Sequence, residues 1–200
     1  TGNIYTPALL RQWIAQALGE VEEIDEIIFD GEKYFDPFRP QIPVSGYKEV
    51  EQLRDARRRT LASINKSLRE ADVFVFTLGL TEAWLNKDGY VYPTCPGTVK
   101  GDFDQSKHIF QNYSYETLLE DMLWIFEKIR GVNEKSKFLL TVSPVPLTAT
   151  ASDKHVLLAS TYSKSLLRSV VGYLTENFSD VDYFPSYELI SSPATRSNYF

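Results

Sequence analysis

A chain of 200 residues with 43% apolar content is long enough to bury one core. Its net charge of −6 lacks the basic footprint of a nucleic-acid binder, and its single cysteine, Cys95, excludes an intrachain disulfide framework and a cysteine cage for a metal. No apolar run reaches the roughly 18–20 residues of a membrane span, and no signal peptide is visible.

In chain order, "GNIYTPALLRQWIAQAL" announces a helix. Thr6 suits the N-cap, Pro7 the first helical position, and Leu9, Leu10, Trp13, Ile14, Ala17 and Leu18 share one apolar face. "EIIFDGEKYFDPFRP" reads as a hairpin turning at Asp30–Gly31 and closed by Pro37 and Pro40. An amphipathic helix follows over about 48–70, with Leu53, Ala56, Thr60, Ile64 and Leu68 inward. Its basic cluster, Arg54 to Arg59, stands among acids and reads as a solvated face. "VFVFTLG" within 72–79 is the first core strand. The Pro/Gly-rich stretch after it reads as a long loop, with room for a second hairpin at Asp88–Gly89. Ser114 caps the next helix, whose Leu118, Leu119, Met122, Ile125, Phe126 and Ile129 recur at helical spacing. A second strand spans 137–145, a helix about 156–178, and a third strand 181–189, which Pro185 either ends early or bulges.

Strands alternating with amphipathic helices predict an α/β fold with a parallel sheet covered on both faces, in a single domain over 1–200. The apolar runs at 73–78 and 138–142 agree with strands buried on both sides. Ligands of such sheets bind beyond the carboxyl ends of the strands. That directs attention to Gly79–Leu80–Thr81–Glu82, to Ser143–Pro144–Val145–Pro146 and to Ser186–Tyr187–Glu188. His155 follows the second strand, where an imidazole serves as a general base or caps the helix beginning at 156. His108 reads as a surface residue. Two isolated histidines without metal-ligand spacing give no metal site, and no P-loop or G-x-S-x-G is present, so neither metal nor cofactor is expected. Cys95, between prolines, reads as a packed thiol.

Seven stretches, in order and over nearly the whole chain, carry a resemblance: "GNIYTPALLRQ", "DPFRP", "VFTLGLTEAW", "YPTCPGT", "TVSPVPLTAT", "HVLLASTYSKSLLR" and "YFPSYEL". Together they resemble the GSCFA family, which is similar to the SGNH (GDSL-type) hydrolases. The resemblance implies a three-layer αβα, flavodoxin-like fold, incomplete at both ends of this chain. It also implies a serine-dependent acyl-ester hydrolase or acyltransferase acting on small-molecule or polysaccharide acyl esters, with O-acylated carbohydrate as substrate class and no cofactor. By position, Gly2 matches the oxyanion glycine of the second SGNH block, with Asn3 and Thr6 extending its turn. Gly79–Leu80–Thr81–Glu82 matches the third block, where Thr81 stands for an amide side chain and Glu82 for an acid. Gly79 is then the strand-end turn, Thr81 an oxyanion-side donor, Glu82 an orienting carboxylate and Trp84 a wall of the cleft, with Ser143 beside them.

The Gly-Ser-Cys-Phe-Ala stretch itself is absent from 1–200. By the resemblance it precedes Thr1, and the block with the catalytic Asp and His follows Phe200. The chain therefore reads as a piece of a longer, cytoplasmic protein carrying the oxyanion side and floor of the site, with His155 the candidate base within it. A second reading is a carbohydrate- or partner-binding module that keeps the fold without the chemistry. A third is a scaffold.

Overall fold

The structure, a computed structural model, describes residues 2–192. Helix α1 (Pro7–Ala17) starts as expected: the Thr6 hydroxyl accepts from the Leu9 amide at 3.2 Å and Pro7 opens the first turn. Strands β1 (Ile28–Phe29) and β2 (Tyr34–Phe35) pair antiparallel. Their turn forms because the Asp30 carboxylate accepts from the Glu32 and Lys33 amides while Gly31 takes φ +96°. Helix α2 (Val50–Glu70) follows, burying Leu53, Leu61 and Leu68.

The central sheet has three parallel strands in the order β3 (Val73–Leu78), β7 (Lys137–Val142), β8 (Val181–Tyr183). Between β3 and β7 lie β4 (Glu82–Leu85), β5 (Val91–Tyr92), β6 (Ile109–Asn112) and helix α3 (Tyr115–Val132). Helix α4 (Val156–Asn177) links β7 to β8, and the short α5 (Ser186–Ser191) follows. The registers run Val73↔Lys137 to Leu78↔Val142 and Phe138↔Val181 to Leu140↔Tyr183. Side chains alternate between faces with period two, so Phe76, Leu78, Phe138, Leu140, Val142 and Val181 share one buried face. There Phe126 of α3 meets Phe138 at 4.3 Å between ring centres, and Leu167, Val170, Val171 and Leu174 of α4 are wholly or almost wholly buried.

Several features differ from the reading of the sequence. Arg57, read as part of a solvated basic face, is 2% exposed because it turns inward to the Asp36 carboxylate, and the second strand ends at Val142 instead of 145, ahead of Pro144. Burial on both faces holds for one face only at β3, where Val73 and Val75 are 50% and 59% exposed; the apolar residues of α3 and α4 pack on the opposite face, with Phe76 and Leu78. The third strand stops at Tyr183, because Pro185 brings no amide hydrogen to a ladder, and α5 begins at once. The Pro/Gly-rich stretch 86–103 is loop for most of its length, as read, but β5 within it and the flanking β4 and β6 pair into an antiparallel sheet of three strands. The hairpin at Asp88–Gly89 forms within it, with Gly89 at φ +86°. Among the described residues no helix is long and apolar enough to cross a membrane.

Candidate cleft at the strand ends

The chain leaves the parallel sheet at Leu78 and enters β4 only four residues later. That short passage is held from three sides. The Gly79 and Leu80 amides both donate to the Tyr5 carbonyl, at 2.8 and 3.1 Å. The Thr81 amide donates to Ser163 Oγ at 3.1 Å, and the Lys164 ammonium donates to the Gly79 carbonyl at 2.8 Å. Gly79 is favoured by space: a Cβ would lie 3.2–3.3 Å from Tyr5, tighter than most side-chain contacts, so Tyr5 would have to shift.

On the β7 side the Ser143 amide donates to the Leu78 carbonyl at 2.9 Å, and Ser143 Oγ accepts from the Val145 amide at 3.2 Å. Between these strand ends opens a cleft of about 570 Å³, lined by Gly79, Glu82 and Ser143 together with Tyr5, Trp84 and Tyr92. Trp84 stands edge-on to Phe103 at 5.1 Å and tilts against Phe110 at 5.5 Å, so its indole is fixed as a wall. The Glu82 carboxylate accepts from the Thr150 hydroxyl at 2.7 Å, and Thr150 and Ser152 hydroxyls lie 2.8 Å apart. A carboxylate held by a hydroxyl in an aromatic-walled cleft can accept hydrogen bonds from a polyhydroxylated ligand.

The other candidates lie elsewhere. Thr81 is fully buried, and its hydroxyl donates to Asn112 Oδ1 at 2.7 Å, so it ties β4 to β6 and does not line the cleft. Gly2, at φ +87°, packs beside Arg39, and Asn3 is exposed; neither lines the cleft. Thr6 does line it, with its hydroxyl spent on the helix cap. His155 is exposed, and its Nδ1 accepts from the Leu157 amide at 3.3 Å: it caps α4. Cys95 lines the cleft, and burial pushes its thiol pKa up, away from the reactive thiolate. Ser186, from the third strand end, sits against Thr141 Oγ1 at 2.5 Å and donates to the Val142 carbonyl at 2.8 Å.

Two partners of the strand end escaped the sequence reading, Ser163 and Lys164. Both fall on the buried face of α4, beside Ser160 and Leu167. Lys164 is 3% exposed, and burial lowers its amine pKa to about 8. Polar residues at positions where helical spacing demands apolar ones are the signal that could have found them. Among the described residues no cluster of three or more His, Cys, Asp or Glu is placed to hold a metal.

No curated protein matches the chain, and no solved structure does. The model of the GSCFA family matches residues 1–200. The chain that builds this cleft therefore belongs to the GSCFA family.

Proposed function

We propose that this chain forms the binding half of a serine-dependent acyl-ester hydrolase or acyltransferase of SGNH type, acting on O-acylated carbohydrate. The observation that carries the reading is the cleft itself. It lies beyond the carboxyl ends of two parallel strands, where ligands of such sheets bind, and brings Gly79, Glu82 and Ser143 together under aromatic walls. In this reading the parallel sheet belongs to a three-layer SGNH domain. The nucleophile is the serine of a Gly-Ser-Cys-Phe-Ala stretch preceding Thr1. Glu82 and Thr150 orient the sugar hydroxyls, and the aromatic walls exclude water from the ester.

The test uses the polypeptide that carries that stretch, with p-nitrophenyl acetate and an O-acetylated oligosaccharide as substrates. Ester cleavage or transfer that disappears when the serine becomes alanine supports the mechanism, and activity that survives the change overturns it. Glu82→Gln is expected to raise KM for the oligosaccharide and leave p-nitrophenyl acetate turnover nearly unchanged.

One observation favours a second reading, a binding module without chemistry. The Thr81 hydroxyl, at the position where the resemblance implies an oxyanion donor, is fully engaged with Asn112 inside the protein. Binding of the acetylated oligosaccharide without turnover by that polypeptide would select it.

A further inference from the structure

Helix α4 changes character along its buried face. At Leu167, Val170, Val171 and Leu174 that face is apolar, whereas nearer its N-terminus Ser160, Ser163 and Lys164 are buried. Residues three and four apart share one side of a helix, so the three polar side chains form a single patch. A buried ammonium is costly even when hydrogen-bonded, and the cost shows in the amine's pKa, pushed down to about 8. A methionine would fill the position without that cost, so packing alone does not call for a lysine here.

The patch holds backbone, and that backbone belongs to both borders of the strand-end cleft. On the β3 border, the Lys164 ammonium donates to the Gly79 carbonyl at 2.8 Å and Ser163 Oγ accepts from the Thr81 amide at 3.1 Å. On the β7 border, Ser160 Oγ accepts from the Leu147 amide at 3.3 Å. Glu82 directly follows the first anchor, and Thr150 lies shortly after the second. These two residues meet across the cleft, where the Thr150 hydroxyl donates to the Glu82 carboxylate at 2.7 Å.

We propose that Lys164 is a positioning residue: with Ser163 and Ser160 it clamps the two cleft borders at one spacing, and it acts on bound carbohydrate through Glu82. Lys164 itself does not line the cleft. Its effect on carbohydrate rests on the ester-processing reading of the cleft, whereas the clamp on the two borders does not.

Two measurements test it, both on the polypeptide that carries the Gly-Ser-Cys-Phe-Ala stretch. The first needs no substrate. By NMR relaxation, Lys164→Met is expected to lower the backbone order parameters of both Thr81 and Leu147 toward about 0.6 while α3 stays near about 0.85. The substitution removes the acceptor of neither amide, so a response at Leu147 has to pass through the clamp. Ser163→Ala, which changes volume little, is the second variant and is expected to loosen Leu147 in the same way. An unchanged Leu147 in both variants would overturn the proposal.

The second measurement is turnover of the O-acetylated oligosaccharide. Lys164→Met is expected to raise KM at least about fivefold and to change kcat less than about twofold. Combined with Glu82→Gln, it should add nothing to the rise that Glu82→Gln causes alone, as two residues acting through one group require. Additive effects, or a loss carried by kcat, would overturn the action through Glu82. Joint loosening of Thr81 and Leu147 in a polypeptide that turns over no ester would uphold the clamp and overturn the ester reading.

Discussion

A Cβ on Gly79 would stand 3.2 Å from Tyr5 Cδ1 and 3.3 Å from its Cβ and carbonyl oxygen, while the Gly79 amide must stay bonded to that same oxygen. Gly79→Ala is therefore expected to cost about 1–3 kcal/mol through overpacking, read as a lower urea midpoint, with the larger loss for Gly79→Val. The sequence marked this glycine as a turn. The structure gives a different reason, close approach of another segment, and no local pattern reveals which segment that is. Lys164 supplies a second test. Its amine is charged in the unfolded chain up to about pH 10.5 and loses its proton in the folded protein near pH 8. Between those values the unfolded state binds more protons, so this group makes stability rise with pH, and below about pH 8 the burial penalty is fully present. Unfolding measured from pH 7 to 10.5 should show a steeper gain for the native protein than for Lys164→Met. Equal slopes would remove the lysine as the cause.

Helices were the most legible elements, because their ends carry chemistry of their own. Thr6 with Pro7 opens α1, and Ser114 opens α3 by accepting from the Thr117 amide. The face of α3 that recurred at helical spacing is the one that packs: Leu118, Met122, Ile125, Phe126 and Ile129 are all inaccessible to solvent. Phe126→Ala removes a ring set against both Phe138 and Phe178. The cavity should cost roughly 3–5 kcal/mol, measurable by chemical denaturation. The elements that went unread are strands whose partners are distant. Nothing within "EAWL" shows that Trp84 will lie opposite Phe110 on one side and Tyr92 on the other. The aromatic pairing that fixes them exists only after folding.

Over the whole molecule the α/β class followed from alternation of strands and helices, whereas the open side of β3 did not, because its apolar run looks the same whether one face or two are covered. Apolar packing is joined by a buried ion cluster, connected to the cleft wall through Phe38, which lies beneath Arg57 and stacks on Tyr92. Asp36 is held by Arg39 and Arg57 at 2.8–3.2 Å, and Arg57 also donates to the Ile24 and Glu26 carbonyls. Thus α2, the β2 turn and the 24–26 segment meet at a single carboxylate. Asp36→Ala leaves two buried guanidinium groups without an acid, and a loss of about 3–5 kcal/mol is expected in thermal or denaturant unfolding.

The Tyr5 carbonyl has a reach of its own. It stands one residue before the cap of α1 and receives two amides from the end of β3. Those two protons are therefore locked to the anchoring of the first helix, not to the sheet they belong to. In deuterium oxide the Gly79 and Leu80 amides should exchange together, at the rate at which α1 detaches. Exchange of Gly79 and Leu80 while the α1 amides stay protected would show that the two are uncoupled. A ligand that seats in the cleft and slows both would be felt, through one oxygen atom, as a firmer grip on the N-terminal helix.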